Sequence, residues 1–331
     1  MNFSILNEFI LAVVLGITQG ITEFLPISST AHQRLITALI TNGRDIGLVA
    51  SNFIQFGTLI AILQFYRKDL SLYFKRIIKM IKKPAEIKVF KDNFIWWWES
   101  NSLKKQHGME SSVEDKILEG DNLTDVVMGQ LIVGTLPVIV IGGLLYNFAE
   151  SNREVSEIAW FLLAGSLLMG FAEYVHTKSE KSVKPKVITP GEVILIGIFQ
   201  SLAAFPGISR SGATLSGALI TGRNRAESVR FSFLLSVPVL LILSIKDFFK
   251  LISQARQTGL SFLPSQSFWT SDKVNLSITS LLIGFILSYI FGIIFLRWLL
   301  KYLSSHTFKW FIVYRVLAAL CIFILVYLKL L

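Results

Sequence analysis

The sequence predicts an all-α, polytopic membrane protein made of two inverted-topology repeats. Each repeat is a re-entrant helical hairpin followed by three transmembrane helices. Three observations predict it. The 331-residue chain is 53% apolar and only 16% charged, with a mean hydropathy of +0.60, outside the range of soluble domains. Apolar runs near the length that crosses a hydrocarbon core recur at about 48–66, 126–148, 156–175, 231–245, 276–296 and 310–328. Two shorter stretches broken by Gly, Pro and Ser read as copies: GITQGITEFLPISSTAHQ from Gly16 and GIFQSLAAFPGISRSGAT from Gly197. At an offset of 181 residues they share Gly16/Gly197, Ile17/Ile198, Gln19/Gln200, Phe24/Phe205, Ile27/Ile208 and Ser28/Ser209. Interrupted apolar segments at matching places in two halves of a membrane protein point to its binding site.

The elements follow in order. A hairpin over about 7–40 precedes crossings at 48–66, 126–148 and 156–175, which makes repeat one, 7–175. A second hairpin over about 190–221 precedes crossings at 229–247, 275–297 and 308–328, which makes repeat two, 190–328, within a single integral domain, 1–331. Three crossings is an odd number, so the second hairpin starts from the opposite side. Lys and Arg gather on one side of this scheme, at Arg67–Lys83, Lys178–Lys186, Arg223–Arg230 and Arg297–Lys309. That side is expected to be cytoplasmic, with both termini outside. No positive charge precedes the first apolar run, so no cleaved signal peptide is expected. The net charge of +10 is therefore read as loop orientation, not nucleic-acid binding.

Residues 84–125 break the pattern. They are polar and contain FIWWWES, which predicts a cytoplasmic surface insertion with Trp96, Trp97 and Trp98 at headgroup level. The single cysteine, Cys321, excludes an intrachain disulfide and is expected to pack within the last apolar run.

The chemistry lies in the broken segments. Gln19 and Glu23 are four apart, hence on one helix face. Pro26 then ends the turn, and Ser28, Ser29 and Thr30 start a new helix with His32 in its first turn. A helix N-terminus attracts anions, and a carboxylate such as Glu23 within apolar sequence is a functional candidate by default. The second segment adds Gly207, Ser209, Arg210, Ser211 and Thr214. Arginine's planar fork suits phosphate oxygens, and a buried one needs an anionic partner, either Glu23 or a ligand. Together the two segments suit an anionic phosphate.

QGITEFLPISSTAH and PGISRSGATLSGALITGRNRAESVRFSFLLSVP resemble the two signature regions of the undecaprenyl-diphosphate phosphatase family, also called the bacitracin-resistance family. The likeness extends over nearly the whole chain, including Glu173 and Tyr314-Arg315. It implies hydrolysis of a polyprenyl diphosphate lipid to the monophosphate and inorganic phosphate in a bacterial plasma membrane. The same crevice could instead translocate the lipid phosphate. By position, the resemblance makes Gln19 and Glu23 the acidic motif holding a divalent cation, Mg²⁺ or Ca²⁺. It makes Ser29 and His32 the catalytic pair, and Ser209, Arg210, Ser211 and Thr214 the phosphate-binding loop, with Ser28, Thr30 and Gly207 beside the substrate. A homodimer is a further expectation. Gln19 stands where a carboxylate is common and Ala31 where glycine is common. The nucleophile is left open between Ser29 activated by His32, His32 itself, and an activated water.

Overall fold

The computed structural model describes residues 3–107, 120–151, 153–178, 187–258, 274, 276–303 and 305–330. Helix α1 (Phe3–Thr22) carries the first apolar stretch to Glu23, and a turn containing Pro26 reverses the chain into α2 (Ser29–Thr41). The span α3 (Gly47–Phe65) follows, joined through Tyr66 to α4 (Arg67–Lys82), and then comes α5 (Ala85–His107). Next is α6 (Gly120–Pro137), which continues through a π-turn at Val138–Gly142. Pro137 offers no amide to the helix ladder, and the wider turn begins directly after it. The short α7 (Tyr146–Ser151) leads into α8 (Val155–Lys178).

The second half repeats the order. α9 (Pro190–Ser201) and α10 (Arg210–Ile220) form a hairpin, followed by α11 (Arg225–Thr258), α12 (Ile278–Leu303) and α13 (Lys309–Tyr327). Among the described residues, six helices are long and apolar enough to cross a membrane: α3, α6, α8, α11, α12 and α13. These coincide with the six runs read from the sequence.

Packing pairs the halves. α1 and α3 both pack on α12, while their counterparts α9 and α11 both pack on α6. Also, α3 meets α11 and α8 meets α13. Matched glycines make close crossings in both halves. A Cβ on Gly16 would lie 2.6 Å from the Gly284 carbonyl oxygen, and one on Gly197 would lie 2.4 Å from that of Gly134. Small residues spaced by four let backbones approach in lipid, and Gly16-Gly20 faces Gly284-Ser288-Gly292 in this way. Gly57 is tighter still, its missing Cβ lying 2.2 Å from the Phe285 carbonyl oxygen. Gly57→Ala should therefore destabilise the purified protein by about 3 kcal/mol or more, the upper scale of overpacking. Gly170→Ala, where nothing lies within 4 Å, should not. Comparing the thermal unfolding of the two variants checks this.

The open end of the first hairpin lies by the start of α8, where Arg153 grips Asp45 at 2.5 and 3.0 Å and Arg34 donates to the Arg153 carbonyl at 2.9 Å. The open end of the second lies by the other end of α8, where Arg225 binds Glu173. The hairpin turns therefore meet between these levels.

Three expectations are corrected. Of the three tryptophans in the insertion, Trp97 is fully buried, packing on Val126 and Val193 and donating its Nε1–H to the Ile188 carbonyl at 2.8 Å. Trp98 is exposed as expected and Trp96 is half-buried. Residues 120–125 belong to α6 rather than to the insertion, and 108–119 lie outside the described residues. Cys321 does not pack in the interior. α13 turns Phe311, Arg315, Ala319 and Ile322 inward, and position 321 falls off that face. Of the charges used to orient the chain, Lys181, Lys184, Lys186 and Lys273 lie outside the described residues.

Candidate active site

Both hairpin turns end in a serine with left-handed backbone: Ser28 at φ 72° and Ser209 at φ 77°. This conformation is rare for a residue with a Cβ, and here it recurs at matched positions. Each serine caps the helix that follows, accepting from Ala31 N at 3.4 Å and Gly212 N at 3.2 Å. The next residues, Ser29 and Arg210, are the first of α2 and α10. Both reach one carboxylate. Ser29 Oγ donates to Glu23 Oε2 at 2.7 Å, and Arg210 Nη2 pairs with Glu23 Oε1. Two helix N-termini, with first-turn amides that have no partner inside their helices, thus converge at Glu23.

Glu23 is buried and saturated. Gln19 Nε2 donates to Oε2 at 2.7 Å, and Gln55 Nε2, from α3, donates to Oε1 at 2.8 Å. Behind Gln19 a chain of donors runs inward: Gln33 Nε2 gives to Gln19 Oε1 at 2.7 Å, and Ser51 Oγ gives to Gln33 Oε1. Such a relay polarises in one direction and holds the carboxylate in place. The second half has Gln200 where the first has Gln19, but Thr214 stands at the place of Gln33 and donates to its own helix at the Arg210 carbonyl, 2.8 Å. Neither polar atom of the buried Gln200 side chain has a partner. The carboxylate relay exists in one half alone.

Arg210 is only half used. Its Nη2 binds Glu23, while its Nη1 is buried without a hydrogen-bond partner. A buried charged donor left unpaired is costly, and a phosphate oxygen is the acceptor that a guanidinium fork fits. Ser211 Oγ donates to the Leu25 carbonyl at 3.0 Å and contacts Ser209 Oγ at 3.1 Å, tying one hairpin to the other. The hydroxyls of Ser28, Ser209, Ser211 and Thr214, expected around the substrate, are therefore engaged within the fold. Thr30 sits half-buried in the first turn of α2. Gly207, at φ +114°, lets the turn press on α8; a Cβ there would be 2.6 Å from the Ile158 carbonyl oxygen.

The expected pairing of Ser29 with His32 is not made. His32 Nδ1 lies 2.7 Å from the Ser28 carbonyl oxygen, and its Nε2 lies 2.6 Å from Tyr314 Oη. A carbonyl only accepts, so Nδ1 carries the hydrogen and Nε2 accepts from the tyrosine. The two rings lie 8° from parallel with centroids 5.6 Å apart. The group next to the Ser29 hydroxyl is Glu23.

The Gln19–Glu23 pair expected to hold a divalent cation is engaged in hydrogen bonds here. Each Glu23 oxygen already accepts two hydrogen bonds, the Gln19 oxygen is taken by Gln33, and Gln19 turns its amide nitrogen toward Glu23. Among the described residues no three of His, Cys, Asp or Glu gather around a common point.

The largest residue missed in the sequence's chemistry is Arg315. It is fully buried on α13 and holds both turns at once. Its Nη1 donates to the Pro26 carbonyl at 3.1 Å and its Nη2 to the Gly207 carbonyl at 3.1 Å, with Leu162 O at 3.0 Å and Ser166 Oγ at 3.1 Å completing the shell. Pro26 and Gly207 are themselves matched positions of the repeat. Gly165 makes room: a Cβ there would lie 2.2 Å from Arg315 Nη2. An ionisable residue inside an apolar run was the available signal, as was polar Gln55 one turn after Ser51 within α3.

Residues 12–321 match the model of a protein family described as bacitracin resistance protein BacA. Three relatives, each named undecaprenyl-diphosphatase, align over nearly their full length. The protein of Pelodictyon phaeoclathratiforme is 33% identical over 95% of this chain and 96% of its own. That of Prochlorococcus marinus is 32% identical over 94% and 96%, and that of Prosthecochloris aestuarii 30% over 95% and 96%. With its duplicated hairpins, its Glu23–Arg210 centre and a match across almost all its length, the chain belongs to the bacitracin resistance protein BacA family.

Proposed function

We propose that the chain hydrolyses undecaprenyl diphosphate to the monophosphate and inorganic phosphate, returning the lipid carrier to cell-wall synthesis and so conferring bacitracin resistance. One observation carries this reading: two helix N-termini and an arginine with an unused buried Nη1 converge on a carboxylate between two apolar half-helices. The names of the relatives support it. They give no support to lipid translocation, the alternative expectation.

The isoprenoid tail stays in lipid while the diphosphate enters between the turns. Phosphoryl transfer calls mainly for positioning and for neutralising charge on oxygen. The terminal phosphate accepts from Arg210 Nη1 and from first-turn amides of α2 and α10 other than the capped Ala31 N and Gly212 N. Arg210 then turns from Glu23 to the phosphate, while Glu23 Oε2 keeps its hydrogen bond from the Ser29 hydroxyl. Glu23 takes the Ser29 proton as Oγ attacks the terminal phosphorus. The bond from that phosphorus to the bridging oxygen breaks and the lipid monophosphate leaves; water then attacks the phosphoserine, the Oγ–P bond breaks as Glu23 returns its proton to Ser29 Oγ, and the water's protons leave with the inorganic phosphate. All of these groups come from one chain, so a second copy is not needed to complete the site. A divalent cation that arrives with the diphosphate must exchange for one of the hydrogen bonds at Glu23.

The two hairpins are inverted repeats in this reading, supported by their open ends lying at opposite ends of α8. The Lys/Arg-rich ends of the spans face the cytoplasm of a bacterial inner membrane and both termini lie outside.

Phosphate release from undecaprenyl diphosphate by purified protein in detergent tests the proposal, because detergent has no compartments to transport between. Stoichiometric phosphate and lipid monophosphate are expected. Absence of phosphate release would overturn it, and a chelator titration reads whether a cation takes part. In the same assay His32→Ala, which removes the imidazole bridging the Ser28 carbonyl and Tyr314, should lose at least about tenfold in turnover, the scale of well-placed hydrogen bonds; wild-type turnover would remove His32 from the site. Tyr314→Phe keeps the ring stack but leaves Nε2 without its donor. It should cost about tenfold in kcat with KM little changed, the scale of one well-placed hydrogen bond.

A further inference from the structure

We propose that α4 is an in-plane helix that binds the headgroups of anionic phospholipids. Both ends of α4 are tied to span termini on one face of the protein. At its start, directly after α3 ends, Asp69 pairs with Arg230 in the second turn of α11 at 2.6 Å. Toward its end, Arg76 clasps Asp125 at 2.6 and 2.8 Å and Glu86 at 2.6 Å, and Lys79 pairs with Asp121 at 2.7 Å, at the start of α6. A helix moored at both ends to one level runs along the membrane face and does not cross it.

Its surface divides into three stripes. Asp69, Tyr73, Arg76 and Met80 turn toward the protein. Phe74, Ile77 and Ile81 form a second stripe, with Phe74 64% and Ile81 73% exposed. At 100° per residue, Lys68, Lys75 and Lys82 form a third, and all three are exposed. No ion pair engages these three lysines among the described residues. An uncovered apolar stripe beside a basic one, on a helix of low overall hydrophobicity, is the pattern of a helix lying in the headgroup region. The basic stripe selects the charge of the occupant. The neighbouring α5 sets the exposed Trp98 on the same module, a side chain suited to that depth.

The full chain in detergent, titrated with an equimolar mixture of phosphatidylglycerol and phosphatidylcholine and read by native mass spectrometry, tests this. Each lysine near an anionic surface is worth roughly fivefold in binding, so the wild type should retain phosphatidylglycerol in at least tenfold preference. The triple variant K68Q/K75Q/K82Q should fall to within about twofold of parity, while K68R/K75R/K82R keeps the preference. Phosphatase activity should persist in both, since none of the three touches the site. Raising salt to about 0.5 M should erase the wild-type preference without any substitution, which keeps the test open if the glutamine variant fails to fold. Equal retention of the two lipids by the wild type, or a preference untouched by both glutamine and salt, would overturn the assignment and hand the stripe to a protein partner.

Discussion

Arg210→Lys should insert and fold like the parent chain yet release phosphate at least about a hundredfold more slowly, the scale of removing one donor aimed at developing charge. The geometry gives the reason. Arg210 holds Glu23 through Nη2 while Nη1 waits without a partner in the buried turn. A planar fork serves carboxylate and phosphate together, and passes from one to the other by a small rotation. An ammonium is a point charge; placed on Glu23 it leaves the phosphate, and placed on the phosphate it lacks the second donor. Steady-state phosphate release alongside the thermal midpoint in detergent separates the effects. A normal midpoint with lost turnover is the expected pair of results. Near-normal turnover would make the arginine a structural clamp.

Arg315→Met is expected to cost both stability and activity, although it reaches neither Glu23 nor Arg210. The guanidinium satisfies three buried carbonyls, those of Pro26, Leu162 and Gly207, and one hydroxyl. Methionine fills the volume but leaves those acceptors unsatisfied, and each costs about 1–3 kcal/mol. A total loss of about 3–5 kcal/mol matches the removal of one partner from other buried charged networks. Turnover should fall further than stability implies, because the two turns lose the side chain that bonds to the carbonyls of both. Arg315→Lys should recover part of the stability and little of the turnover, since one ammonium cannot span both Pro26 and Gly207. Unfolding midpoint and kcat measured on the two variants give the comparison; equal recovery of both would show that Arg315 only packs.

The hairpins and six spans were legible because they rest on local signals: apolar length, Pro26 and Pro206 at the turns, and serines at Ser28 and Ser209 where helices start. Glu23 and Arg210 could be read as partners because lone charges in apolar sequence are few. What escaped depends on three-dimensional neighbours. Nothing in one dimension says that Gln55 on α3 meets Glu23, or that Ser51 and Gln33 feed Gln19 from behind. The family likeness pairs His32 with Ser29, but the imidazole lies on the carbonyl of the left-handed Ser28 and reaches out to Tyr314. Trp97 escaped for the opposite reason. A run of three tryptophans suggests an interface, yet on a helix consecutive residues point in different directions, and one of the three had to face the core.

Ser29 and Arg210 occupy equivalent positions and bond the same carboxylate, whose own equivalent is Ala204. A symmetric pair of identical hairpins would have faced glutamate with glutamate, or arginine with arginine, across the axis between them. An ion pair can form at this centre because the two segments differ at these positions, whereas the capped left-handed serines and the close crossings at Gly16 and Gly197 are common to both.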